Sequence, residues 1–73
     1  MTSLDLHRKT HEEALHLVDI FIKQHLHDLP LEIITGNSER MQSIVKEVTD
    51  TYGLRCELMN HFNLGTLIIN EQL

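Results

Sequence analysis

The chain is predicted to fold as a two-layer α/β sandwich of order β-α-β-α-β-β, a four-stranded mixed sheet with two helices on one face. Three observations predict it. Short apolar runs of strand character alternate with longer runs whose apolar residues recur at helical spacing. Capping residues and breakers stand at the joints between them. The last two strand-like runs are separated by a turn-prone segment too short for a crossover helix, which permits an antiparallel hairpin after two parallel, right-handed connections.

Leu4-Asp5-Leu6-His7 reads as the first strand, with Leu4 and Leu6 entering the core and Asp5 and His7 together on the opposite face. Thr10 with Glu13 forms a capping-box pattern, so a helix is expected over residues 10–27. Its apolar stripe is Ala14, Leu15, Leu17, Val18, Phe21, Ile22 and Leu26. Asp28-Leu29-Pro30 breaks that helix. The β-branched run Leu31-Glu32-Ile33-Ile34-Thr35, closed by Gly36, reads as a buried strand. A second helix begins at Asn37 or Ser38, either of which can cap it, with Glu39 favourable in the first turn. Met41, Ile44, Val45, Val48 and Tyr52 form its apolar face, and Gly53 stops it. Residues 54–59 and 66–70 supply the last strands. Alternation sends Leu4, Leu6, Ile33, Cys56 and Leu58 toward the helices, and leaves Asp5, His7, Glu32, Ile34, Arg55 and Glu57 on an open face.

At 73 residues the chain is expected to form one domain, residues 1–73, around one small core. Hydrophobic content of 41% beside 23% charged residues is globular in character. No apolar run approaches the roughly 20 residues that cross a bilayer. The start Met1-Thr2-Ser3-Leu4-Asp5 lacks the basic and apolar pattern of a secretory signal, so a soluble cytoplasmic protein without membrane association is expected. The single cysteine, Cys56, cannot pair within the chain and reads as a small buried hydrophobe. A formal charge of −5 disfavours bulk electrostatic holding of nucleic acid, so any such role must be local.

The chemistry-bearing residues converge by topology. Parallel neighbouring strands end on the same side of a sheet, which brings the His7 end of the first strand near the Thr35-Gly36 turn. The second helix begins there, with free N–H groups and a positive dipole end suited to a phosphodiester. Arg8, Lys9 and Arg40 can add local positive charge, although each also fits a solvated surface position. Asn37 and Ser38 can donate to phosphate oxygens or simply cap the helix. The remaining histidines, His11, His16, His25, His27 and His61, lack metal-ligand spacing, and no metal motif is present.

Leu4-Asp5-Leu6-His7, Thr10 and Glu12-Glu13-Ala14 resemble the Leu-Asp-Leu-His-Gly-x-Thr…Glu-Ala opening of the Smr, or small MutS-related, domain family. Ile33-Ile34-Thr35-Gly36 resembles that family's second motif, an apolar strand ending in His-Gly-x-Gly or Thr-Gly-x-Gly. Asn63-Leu64-Gly65-Thr66-Leu67-Ile68-Ile69 resembles its Gly-rich turn and final strand. Arg8 stands where the family carries glycine, and Asn37-Ser38-Glu39 replaces a Gly-rich continuation.

The resemblance implies a minimal Smr-like domain with a fold like the C-terminal domain of translation initiation factor three. It also implies endonucleolytic action on nucleic-acid phosphodiester bonds, with RNA slightly preferred over DNA. Asp5 and His7 are then the catalytic candidates, His7 moving a proton and Asp5 orienting it or holding a divalent ion. Arg8, Lys9, Thr35, Gly36, Asn37, Ser38, Arg40 and Gly65 are the nucleic-acid-binding candidates. No cofactor is required, and a divalent cation such as Mg²⁺ is compatible with the set. The alternatives are a non-catalytic nucleic-acid or ribosome-binding module and a small protein-interaction domain using the open sheet face. The sequence leaves the oligomeric state open.

Overall fold

The structure, a computed structural model, describes residues 1–72. Its elements are β1 (Ser3–Asp5), α1 (His11–Gln24), β2 (Leu31–Ile34), α2 (Glu39–Thr51), β3 (Leu54–Leu58) and β4 (Thr66–Glu71). They build the expected α/β sandwich, a mixed four-stranded sheet in spatial order β1-β2-β4-β3 with the two helices over one face. β1 pairs with β2 in parallel, and β4 is antiparallel to both β2 and β3.

β3 therefore runs in the same direction as β2 without touching it, because β4 folds back into the space between them. Strand composition explains the placement. β4 carries Leu67 and Ile69, both fully buried, with Ile68 half-buried on the other face. β3 instead alternates half-buried Leu54 and Cys56 with exposed Arg55 and Glu57. A strand apolar on both faces gains most from a central position, and an alternating, charged one is tolerated at the edge.

Register sets the core. Leu4, Ile33 and Leu67 form one row across the sheet, and Leu31, Ile69 and Cys56 the next, on the helix-covered face. Leu6, Ala14, Val18, Phe21, Ile22, Met41, Val45 and Val48 close over these rows. Full burial of such an aliphatic side chain contributes about 1.5–3 kcal/mol. The Tyr52 hydroxyl donates to Asp19 Oδ1 at 2.7 Å, tying the end of α2 to the middle of α1. That bond, with some burial, raises the phenol's pKa.

The capping box forms as its spacing predicts. Thr10 Oγ1 accepts from the Glu13 N–H at 3.0 Å, and Glu13 Oε1 accepts from the Thr10 N–H at 3.0 Å. These bonds lower the Glu13 pKa. At the other end, α1 stops at Gln24 rather than His27. The His25 N–H reaches back to Ile22 O and the Asp28 N–H to His25 O, so the chain turns one step before Asp28-Leu29-Pro30. The stripe is narrower than expected too: Leu15 is 44% and Leu26 38% exposed, because a sheet of short strands cannot cover them. Leu58 lies in the Leu67 row yet is 45% exposed at the rim.

Candidate nucleic-acid interface

β1 and β2 remain paired to their last residues, since the Leu6 N–H bonds Ile34 O at 2.8 Å. The chain therefore leaves the sheet at His7 and at Thr35 side by side. After Leu6 it makes a tight turn, closed by the Lys9 N–H on Leu6 O at 3.0 Å. Arg8 takes φ 68° in this turn, a left-handed conformation that costs a side-chain-bearing residue roughly 1–2 kcal/mol. Asp5 Oδ1 steadies it by accepting from the His7 backbone N–H at 2.8 Å. Asp5 and His7 are both exposed, as alternation predicts. The carboxylate holds the backbone of His7, and the imidazole is left open to solvent.

The second and third segments interlock behind this turn. The Thr35 and Gly36 N–H groups bond Gly65 O at 2.8 and 3.0 Å. A Cβ added at Gly65 would meet Gly36 Cα at 3.1 Å, so glycine at 65 permits the two backbones to touch. Gly36 has φ 70°, the conformation that turns β2 into α2. The buried Thr35 hydroxyl is shared between the Gly36 and Gly65 carbonyls, at 2.7 and 3.2 Å. Thr35 and the Gly36 amide are thus engaged in building the loop, and their contribution to any ligand is through its shape.

Sequence reasoning missed Gln42. Its Nε2 donates to Leu64 O at 2.6 Å and lies 3.3 Å from Gly36 O, clamping the β3–β4 loop to the start of α2. The available signal was a polar residue one turn after Ser38, on the side of α2 that carries Met41 and Val45. Ser38 caps the helix, its Oγ accepting from the Met41 N–H at 3.1 Å. Ahead of that bond, the amides of residues 37–40 have no protein acceptor among the described residues. A concavity of about 210 Å³ lined by Asn37, Glu39, Gln42, Leu58 and Leu64 opens beside them.

Arg8, Lys9, Asn37 and Arg40 are exposed, and Ser38 is half-buried. Arg8 and Lys9 thus follow the end of β1 and Arg40 lies in the first turn of α2, with Glu39 as the opposing charge in that turn. His61 sits exposed in the β3–β4 loop. Among the described residues no three His, Cys, Asp or Glu side chains converge as a metal site. No helix is long and apolar enough to cross a membrane among the described residues.

The cluster thus combines an exposed imidazole, a fixed carboxylate, a row of amide donors and three exposed cations at one end of the sheet. Amide donors at a helix start suit an anion, and an exposed imidazole suits proton transfer. Comparisons of the chain with protein-family models, with curated proteins and with solved structures give no match.

Proposed function

We propose that this chain is a Smr-like endonuclease acting on nucleic-acid phosphodiester bonds, RNA slightly ahead of DNA, at the joined ends of β1 and β2. The observation that carries the reading is the meeting of three separate motif segments in one place. Leu6 is bonded to Ile34, and Thr35 and Gly36 are bonded to Gly65. Arg8 adds support, since its left-handed φ occupies the position where the resembling motif carries glycine.

In this mechanism the phosphodiester lies against the amides of residues 37–40, where donors and helix dipole stabilise the charge that builds on the non-bridging oxygens. Arg8, Lys9 and Arg40 hold flanking phosphates by charge. His7 takes the proton from the attacking hydroxyl or water, or returns one to the leaving oxygen. Asp5 fixes the His7 backbone and hence the direction from which the imidazole approaches. The preference for RNA comes from the family resemblance alone.

A binding module without cleavage is the second reading, favoured by the Asp5 carboxylate meeting the His7 amide rather than its ring and by the acidic net charge. Incubating the protein with labelled single-stranded RNA and with nicked and supercoiled DNA, with and without Mg²⁺, separates the two. Cleavage that disappears in His7→Ala is expected. Binding without product on every substrate would leave the module, and neither binding nor product would leave a protein-interaction domain.

A further inference from the structure

β3 is an edge strand whose outer side is unpaired. The Met59 N–H bonds Thr66 O at 2.9 Å. By the two-residue alternation of an antiparallel ladder, Arg55 and Glu57 also direct their N–H and C=O groups at β4. Those of Leu54, Cys56 and Leu58 point outward, and no strand among the described residues receives them.

The sequence of this edge, Leu54-Arg55-Cys56-Glu57-Leu58, is complementary to itself when read in reverse. From this we infer that β3 is a homodimerisation edge, pairing antiparallel with β3 of a second copy about a two-fold axis at Cys56. In that register Cys56 meets Cys56 of the second copy, and Leu54 meets Leu58. These are the residues with outward backbone groups, so each exchanges its N–H and C=O across the axis. Arg55 falls opposite Glu57 of the second copy, in the closely spaced positions where cross-strand side chains interact most strongly.

The charges select this occupant. Within one chain Arg55 Nε already lies 3.4 Å from Glu57 Oε1, with the two side chains 45% and 64% exposed on the open sheet face. Pairing two copies joins these into a row of alternating sign. A chain in parallel register would instead set Arg55 beside Arg55. Leu58, 45% exposed, gains cover from Leu54 of the second copy. The two sheets become one continuous sheet, and because β1 lies at the far edge, the His7 and Arg8 turns of the two copies stay open at opposite outer corners.

Charge reversal tests the pairing, read by sedimentation equilibrium from micromolar to low millimolar concentration. The wild type is expected to move from monomer to dimer mass. Arg55→Glu and Glu57→Arg should each weaken self-association on the order of tenfold or more, since both cross-strand pairs turn repulsive. An equimolar mixture of those two variants should form the heterodimer, in which every pair is again of opposite sign. The double variant R55E/E57R should restore the homodimer. Circular dichroism confirms that each variant stays folded. A wild type that remains monomeric throughout, or a mixture no more associated than its components, would overturn the inference.

Discussion

The two edges of the sheet end in opposite ways. β1 has three residues, and its C-terminal end passes straight into a turn held by a carboxylate and a left-handed arginine. β3 has five residues, alternates cleanly and has no strand against its outer side among the described residues. A strand that stops early presents side chains at the end of a sheet, whereas one that continues presents a backbone. On the readings proposed above, the first is the place for chemistry and the second the place for a partner.

The largest expected effect falls on the β1 side. His7→Ala should lower turnover by about 10²–10⁴-fold with the fold unchanged, as loss of a proton-transfer group does. Asp5→Ala should also lower turnover strongly, through loss of the bond to the His7 amide. Asp5→Asn keeps an acceptor oxygen there, so its single-turnover rate should stay well above that of Asp5→Ala. Equal rates for the two variants would mean that the carboxylate's charge, rather than its grip on the turn, matters.

Core substitutions come next and contrast the centre of the sheet with the β3 rim. Ile33→Ala removes a fully buried side chain and should cost about 2–5 kcal/mol in urea denaturation. Leu58→Ala, at the exposed rim end of the same row, should cost under about 1 kcal/mol. Comparable losses would mean that the rim is packed as tightly as the core.

Two of the three left-handed positions, Gly36 and Arg8, sharpen the comparison further. Gly36→Ala has free space for its Cβ but the wrong φ, so it should cost about 1–2 kcal/mol. Arg8→Gly relieves the same strain and should raise stability by up to about 1 kcal/mol. It should at the same time weaken RNA binding and flatten its salt dependence. A variant that loses stability would show that the Arg8 side chain supports the fold rather than a ligand.

The smallest effect belongs to Cys56 on β3. Burial pushes its thiol up to about 11 from the usual 9.0, so the folded protein favours the neutral form. The corresponding stability is whole below about pH 9 and is lost as pH rises through about 11. Alkylation by iodoacetamide at pH 8 should be slow in the folded protein and fast in urea, and fast labelling of the folded protein would contradict the burial.

Most of this architecture is legible in the residues. The Thr10 and Glu13 pair marks the start of α1, Gly36 and Gly53 mark turns with φ near 70°, and period-two alternation places Asp5, His7, Arg55 and Glu57 on the open side. Strand order is less legible, because β4 enters between β2 and β3 through a competition for burial that local pattern does not reveal. The site follows the same division. Its segments can be read from topology, but the Gln42 clamp and the Thr35 hydroxyl's engagement depend on a loop some 20 to 30 residues away in the chain. A side chain's reach across such a distance has no local signature.

The most direct measurement is a titration of short single-stranded RNA into the ¹⁵N-labelled protein, followed by amide chemical shifts. The expected result is a coherent set of changes at His7, Arg8, Lys9, Gly36, Asn37, Ser38, Arg40 and Gly65, with the β3 residues Leu54 and Cys56 unmoved. Changes confined to β3, or to Thr2 and Asp28 at the opposite end of the sheet, would contradict a phosphodiester site at the ends of β1 and β2.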